Sequence, residues 1–188
     1  FSQLAVTFIF LILVVLAVIN ITTGIVKKYS IKMVELAETD MLTGIKNRAA
    51  YEYELTRAAS IPEKLSHFGI GVFDLNKLKT VNDTYGHQAG DEYIKKFAKM
   101  LCEYFGKSQV FRIGGDEFAV IFRDLAESDV YGCWEKLKDR MNSEHSSEKF
   151  PISAAFGCAF WDEESLCTIE KIFKAADDNM YMDKEKRK

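Results

Sequence analysis

The first 26 residues contain no Lys, Arg, Asp or Glu, and this charge-free segment constrains the chain more than any other feature. Residues 8–19 (FIFLILVVLAVI) are apolar without interruption. At about 1.5 Å per residue in a helix, residues 4–26 span roughly 34 Å, enough to cross the hydrocarbon core of a bilayer. Lys27, Lys28 and Lys32 follow at once, and such charges favour the cytoplasmic side. We therefore predict a transmembrane helix over residues 1–26.

Two alternatives to a membrane span are a cleaved signal peptide and a buried core helix. A signal peptide fits poorly because the segment has no basic start, is long, and precedes no clear small-residue cleavage site. We therefore expect a single-pass protein of the inner (cytoplasmic) membrane, with the residues that follow the span in the cytoplasm. Residues 27–39 are interpreted as a juxtamembrane linker helix. Because the chain starts with Phe1, we expect a fragment whose upstream, sensory part lies outside this sequence.

Residues 40–188 have the composition of one globular domain. Aromatic residues make up 13% of the chain and charged residues 28%, which is typical of a sequence with a packed core. The net charge of −3 argues against a nucleic-acid polymer as partner, because such proteins normally present a basic face. A nucleotide needs only a few lysines and a metal, so binding of a nucleotide stays open.

Apolar spacing predicts alternating helices and strands in this domain. Helices are expected at 49–59 with Asn47 as cap, at 89–105, around Val130–Met141, and after Thr168. Strands are expected at 68–75, 110–113, 118–122 and 152–161, with a polar turn after the first. Gly114-Gly115 between two short strands indicates a hairpin.

The order of the central elements is β-α-β-β-α-β. Alternation alone also allows a parallel sheet, but the tight hairpin favours an antiparallel one. We therefore predict an α+β, ferredoxin-like fold in which an antiparallel sheet carries helices on one face.

Acidic residues are expected at two neighbouring places in this sheet. Asp74 lies near the end of the first strand, and Asp116 and Glu117 follow the Gly-Gly turn. Clustered carboxylates need a cation, and oxygen ligands select Mg²⁺. Adjacent strand residues point to opposite faces, so Asp116 and Glu117 share a site only if the turn twists the chain. Gly114 and Gly115 are expected to use positive φ and to let a substrate approach the backbone.

Four segments of the chain resemble the motifs of the GGDEF family. They are RIGGDEF at 112–118, DMLTGIKNR at 40–48, DLNKLKTVNDTYGHQAGD at 74–91, and ADDNMYMDK at 176–184. The resemblance implies a diguanylate cyclase with a nucleotide-cyclase palm, which condenses two GTP into cyclic di-GMP with release of pyrophosphate. It also implies Mg²⁺ or Mn²⁺ as cofactor and a homodimer, since each domain holds one GTP.

The resemblance assigns roles to individual residues. Asp116 and Glu117 are implied to be catalytic, and the metal ligands are Asp74, the Leu75 carbonyl, Asp116 and Glu117. Asn82 and Asp91 match the positions that read guanine, with His87 beside them. A carboxylate accepts from guanine N1–H and N2–H₂, a pair of donors that adenine lacks on that edge, so Asp91 favours GTP over ATP. The residues implied to lie against the substrate phosphates and backbone are Lys77, Leu78, Lys79, Gly114, Gly115, Lys184 and Lys188.

The sequence departs from the family pattern at four positions. Asn76 replaces a common Asp, and Leu78 replaces a common Phe. Phe105 and Ser108 stand where many members carry an R-x-x-D product-inhibition site, so we expect no product inhibition there. Three alternatives to a diguanylate cyclase are a GTP-binding sensor with little activity, a different purine cyclase, and a structural membrane-tethered module.

Overall fold

The computed structural model describes residues 3–61, 68–144, 151–165 and 168–186. The chain divides into two compact units, residues 1–38 and 39–188, which are treated separately. The helices are α1 Gln3–Glu38, α2 Arg48–Ala59, α3 Leu78–Tyr85, α4 His87–Phe105, α5 Glu127–Glu144 and α6 Ile169–Lys186. The strands are β1 Phe68–Leu75, β2 Val110–Arg112, β3 Glu117–Arg123 and β4 Ala154–Phe160.

The four strands form one sheet in the order β2-β3-β1-β4. Every neighbouring pair is antiparallel. Strand β1 therefore lies in the middle, between β3 and β4, and its partners run from Phe68↔Arg123 to Asp74↔Glu117. This arrangement confirms the predicted ferredoxin-like α+β fold.

Helices cover both faces of the sheet. On one face Phe73, Phe118 and Phe122 pack in a single cluster with residues of α4 and α5. On the other face Ile70, Val72 and Ile121 pack with residues of α2 and α6. The two central helices, α4 and α5, therefore lie on one face as expected, and the flanking helices α2 and α6, which that expectation set aside, cover the other face.

The predicted helices and strands are found within a few residues of their expected ends, and one additional helix is present. Asn47 caps α2 as expected, since its side chain accepts a hydrogen bond from the Ala50 amide at 3.0 Å. The expected polar turn follows β1 at Asn76 and Lys77, and the additional helix α3 begins directly after it. Its apolar residues are few, but Leu78, Val81 and Tyr85 recur at helical spacing, and Val81 is buried.

Helix α6 lies directly against strand β4. A Cβ built on Gly157 would be 2.0 Å from the Met180 amide nitrogen and 2.3 Å from the Ala176 carbonyl oxygen, so only glycine permits this approach. Two side chains of α6 also bond to the outer edge of β4: Asp183 accepts from the Phe156 amide and Asn179 donates to the Cys158 carbonyl. At the opposite edge of the sheet, the Arg112 amide of β2 donates to the Lys46 carbonyl.

Helix α1 forms the first unit. Within it, Thr7–Ser30 is long and apolar enough to cross a membrane, with a mean hydropathy of 2.8. Its apolar side chains are exposed, as at Phe8, Phe10 and Leu13. The helix continues without interruption through the predicted linker residues as far as Glu38.

Candidate active site

Asp74 and Glu117 face each other where β1 and β3 meet the Gly-Gly turn. They are Cα partners in the antiparallel pair, so their side chains lie on the same face of the sheet. Alternation along β1 and β3 assigns them to the face that also carries Val72 and Ala119, which is the face covered by α2 and α6. Asp74 is only 8% exposed, whereas Glu117 is exposed. The fold therefore brings two of the predicted metal ligands together.

Lys184 is the ion-pair partner of Asp74. Its Nζ lies 2.7 Å from Asp74 Oδ2, although the two residues are 110 positions apart. The contact exists because α6 runs along β4 and ends beside the end of β1. The sequence assigned Lys184 to substrate phosphates and gave no signal of this contact.

The Gly-Gly turn is held by backbone hydrogen bonds. The amides of Ile113 and Gly114 donate to the Glu117 carbonyl, and the Leu75 amide donates to the Asp116 carbonyl at 2.8 Å. A Cβ on Gly114 would lie 2.5 Å from Glu117 Oε2, so this glycine gives space to the Glu117 side chain. The expectation of positive φ at Gly114 and Gly115 was wrong, because neither glycine is in the left-handed region. Nothing lies within 4 Å of a Cβ on Gly115, which leaves that backbone open to approach.

Arg112 connects the start of the domain to this turn. Its Nη1 donates to both carboxylate oxygens of Asp40, at 3.1 and 3.2 Å, and its Nη2 donates to the Gly115 carbonyl at 2.8 Å. Burial opposes ionisation of the Asp40 carboxyl, but hydrogen bonds from Thr43 and Arg112 and the charge of Arg112 together lower its pKa. Asp40 and Arg112 are therefore positioning residues, a role that their motifs alone did not reveal.

The ligand atoms around Asp74 and Glu117 suit a divalent cation in part. Asp74 and Glu117 offer hard oxygen ligands, and the nearly buried Asp74 already takes an ammonium as counter-ion, which shows that the position demands positive charge. Across the described ranges, no three His, Cys, Asp or Glu side chains are close enough to hold one ion as they lie. Asp116 thus does not complete a three-carboxylate group in this arrangement, in which Lys184 is held at Asp74.

The turn between β1 and α3 has an unusual backbone. Lys77 has φ 63°, in the left-handed region that non-glycine residues rarely adopt, and its side chain makes no capping bond to α3. The first amides of α3, beginning at Leu78, therefore receive no hydrogen bond from the side chain of their cap residue, and the amides at a helix start attract anions. Lys79, the second residue of α3, is exposed. This surrounding suits the phosphate role expected for Lys77, Leu78 and Lys79.

The residues expected to read guanine lie where α3 meets α4. Asn82 is half-buried on α3, and a Cβ on Gly90 would be 1.9 Å from Asn82 Oδ1, so the Asn82 side chain lies against the first turns of α4. Asp91 is the next residue of α4 and is exposed, as is His87 at the start of that helix. The fold brings Asn82 and the Asp91 segment together. Lys188 lies outside the described residues.

The loop after β1 is fixed by bonds to Ser153 and Tyr93, two residues that the sequence did not single out. The Asn76 side chain donates to Ser153 Oγ at 3.0 Å, and the Tyr93 hydroxyl donates to the Asn76 carbonyl at 3.1 Å. Asn76 stands where family members commonly carry Asp, so here an amide ties this loop to the segment before β4. Phe105, which stands where many family members begin their R-x-x-D site, is a core residue here and packs on Phe73 and Phe122.

The fold and the site together define a ferredoxin-like α+β protein with an acidic, cation-demanding centre at its strand ends. Residues 37–188 match the family described as "Diguanylate cyclase, GGDEF domain". The chain belongs to this GGDEF family, whose cyclases are nucleotidyl cyclases that generally require a divalent metal.

Individual relatives agree with this family. The chain is 33% identical over 147 residues to the diguanylate cyclase DgcS of Shewanella oneidensis, covering 77% of this chain and 49% of that protein. It is 31% identical over 153 residues to the uncharacterized membrane protein SH2145 of Staphylococcus haemolyticus, covering 77% and 42%. The chain thus spans less than half the length of these curated relatives. Among solved structures, the coiled coil and GGDEF domain of DgcB from Caulobacter crescentus, in complex with c-di-GMP, matches with TM-score 0.79 and 27% identity, covering 90% of this chain and 92% of that one.

Proposed function

We propose that the chain is a membrane-anchored diguanylate cyclase that condenses two GTP into cyclic di-GMP and releases two pyrophosphates. The observation that carries the proposal is the pairing of Asp74 with Glu117 beside the Gly-Gly turn, in a domain of this family. In each of two equivalent steps a ribose 3′-oxygen bonds to the α-phosphorus of the other GTP. The bond from that phosphorus to the pyrophosphate oxygen breaks, and the hydroxyl proton passes to solvent or to a nearby base.

In this proposal Mg²⁺ or Mn²⁺ would be held by three carboxylates and one backbone carbonyl, which are those of Asp74, Asp116, Glu117 and Leu75. The bound ion supplies charge neutralisation at the phosphates and lowers the pKa of the attacking hydroxyl. The protein's own contribution is position. Arg112 keeps the turn in place through Gly115, and the Leu75–Asp116 backbone bond fixes the acidic segment against β1.

The remaining residues bind the nucleotide. Asn82 and Asp91 hold the guanine edge with His87 beside them, and Lys79 with the amides of Lys77 and Leu78 holds phosphate. Gly115 lets the substrate approach the open backbone, while Lys184 and Lys188 reach the outer phosphates. Two observations support these roles. Lys77, the cap residue before α3, has a left-handed backbone conformation, and the Asn82 side chain lies against Gly90.

A cyclic product made from two nucleotides requires two domains that face each other, so the active form is a homodimer. The apolar helix α1, with Thr7–Ser30 long enough to span a bilayer, supports single-pass anchoring in the inner membrane with the catalytic domain in the cytoplasm. The lysines that follow the span support this orientation. Anchoring confines partner domains to two dimensions and raises their encounter rate.

The test uses the full chain in detergent with GTP and Mg²⁺, and chromatography of the products. We expect cyclic di-GMP and pyrophosphate from GTP and no cyclic product from ATP in a parallel reaction. Asp116→Ala is expected to lower turnover at least about 100-fold, the order of loss when a group that stabilises the transition state is removed, while its circular dichroism stays native. Asp139→Ala, at an exposed position of α5, is the matched control and keeps full activity. Absence of product from the folded wild type contradicts the proposal, as does full activity of Asp116→Ala.

A further inference from the structure

The ion pair between Asp74 and Lys184 sits at the centre of the proposed metal site. Asp74 is 8% exposed, and its Oδ2 is 2.7 Å from Lys184 Nζ. A carboxylate with so little solvent around it needs a partner, because an unpaired buried charge is strongly unfavourable. The ammonium of Lys184 provides this charge from another element, the last turn of α6.

The carboxylate of Asp183, next to Lys184 on the same helix, has a partner on another element. Asp183 accepts a hydrogen bond from the Phe156 amide of β4, which holds that carboxylate at the sheet edge. The Lys184 side chain is 36% exposed, so one side of it faces Asp74 and the other faces solvent. A lysine is a compact charge on a flexible four-carbon stem, and it can leave one anion for another by bond rotation alone.

We propose that Lys184 is the resident counter-ion of Asp74 and competes with a divalent cation for this carboxylate. The inference rests on the proposed function and deepens it. Two positive charges cannot both lie against one nearly buried carboxylate without strong repulsion. Lys184 therefore has to turn away from Asp74 before the carboxylate accepts a metal ligand bond.

The competition couples nucleotide binding to metal binding. In the absence of a nucleotide, Lys184 has no other anion of comparable charge among its described contacts and stays on Asp74. The phosphates of GTP offer Lys184 a new partner, and its departure leaves Asp74 with an uncompensated negative charge. We therefore expect weak metal binding by the nucleotide-free protein and much tighter binding once a triphosphate is present.

The experiment measures Mn²⁺ binding to the full chain in detergent without nucleotide, with free Mn²⁺ counted by electron paramagnetic resonance. Lys184→Met removes the competing charge and is expected to bind Mn²⁺ at least about tenfold tighter than wild type. The reason is that an ammonium and a divalent cation on the same carboxylate repel each other. Lys184→Arg keeps the charge and is expected to bind as wild type does. Lys186→Met removes an exposed lysine of the same helix and is the matched control, expected to change nothing. Adding Asp74→Asn to Lys184→Met should abolish the gain in Mn²⁺ affinity, which would show that the gain arises at Asp74.

Thermal unfolding gives a second measurement that does not depend on turnover. Lys184→Met leaves Asp74 unpaired, so its Tm in a chelator should fall below that of wild type. Added Mg²⁺ should raise the Tm of Lys184→Met by several degrees and that of wild type much less. A purely structural role for Lys184 would lower the Tm without this selective rescue. If Lys184→Met does not fold, Lys184→Gln serves in the same two measurements.

The results separate the inference from the proposed function. Equal Mn²⁺ affinity of wild type and Lys184→Met without nucleotide overturns the inference, while the function stands as long as wild type binds Mn²⁺ with GTP and makes product. No Mn²⁺ binding by folded wild type even with GTP overturns the proposed metal site, and the inference falls with it.

Discussion

Gly90 positions a neighbouring side chain by having none of its own. A Cβ at this residue would lie 1.9 Å from Asn82 Oδ1, so the amide of Asn82 occupies the space that any other residue would fill. Gly90 lies in the first turns of α4, where alanine is intrinsically the better helix former. Its value is therefore in the placement of Asn82 and not in the stability of the helix.

Gly90→Ala is expected to raise the KM for GTP by about tenfold with a smaller change in kcat. Under the proposed function, the extra methyl group displaces the Asn82 amide from the guanine edge, and one lost hydrogen bond of this kind is worth about 1 to 1.5 kcal/mol. The end of the Asn82 side chain can move, so the free energy of unfolding should change little. Steady-state kinetics with GTP and urea unfolding measure the two quantities.

A double-mutant cycle with Asn82→Ala tests the route of this effect. If Gly90→Ala acts through Asn82, adding it to Asn82→Ala should raise KM no further. Fully additive effects of the two substitutions would show that Gly90 matters for another reason.

At the scale of single residues, the sequence predicts which residues belong to the site better than it predicts which residues touch each other. It placed Asp74 and Glu117 at strand ends that meet, because the strand order and the hairpin follow from local patterns. It did not reveal the bonds from Lys184 to Asp74 or from Arg112 to Asp40, which join residues 110 and 72 positions apart. Such contacts depend on where helix and strand ends lie in space, and no periodicity of residue types encodes that.

At the scale of elements, the long apolar segments were predictable and the short polar helix was not. Strand β1 was expected at 68–75 and is found there because all eight residues are buried. Helix α3 was not predicted, because its eight residues, LKTVNDTY, include only a few apolar ones. Its packing on α4 stabilises a helix that local propensity alone does not favour.

Gly157→Ala is expected to destabilise the domain by roughly 3 kcal/mol. The added methyl group would meet backbone atoms of Met180 and Ala176, which cannot rotate away as a side chain can, so α6 must shift from β4. Urea unfolding of the full chain, followed by tryptophan fluorescence, measures the change. The substitution should also lower activity, because the same helix carries Lys184.

Gly132→Ala is the matched control for this prediction. Gly132 lies on α5 with nothing within 4 Å of its Cβ position, so the substitution should stabilise the helix by about 0.5 to 1 kcal/mol. A Gly157→Ala protein as stable as wild type would contradict the close approach of α6 to β4.

At the scale of the whole molecule, the chain joins an apolar helix to a compact domain. The sequence predicted both parts, since a charge-free segment and a set of motifs are read directly from the residues. It predicted that the central helices lie on one face of the sheet, and α4 and α5 do so. It made no prediction for the second face, which the flanking helices α2 and α6 cover, because each of them has an apolar side that must be buried.

Specific activity should depend on how densely the protein is reconstituted in vesicles. If two domains must meet, vesicles that hold on average less than one copy should show activity at least about fivefold lower per molecule, because no partner shares the two-dimensional surface. Diluting the same densely loaded vesicles into buffer should leave specific activity unchanged, which serves as the control. Activity per molecule that is independent of loading would argue against a required dimer.

The bonds at the two borders of the sheet also bear on aggregation. Fibre growth by strand recruitment needs a free row of amides and carbonyls along a border. Here Asn179 and Asp183 take two such groups on β4, and the segment around Lys46 takes one on β2. A strand from a second copy would have to break these bonds before it could pair along either border, which disfavours growth of an amyloid ladder.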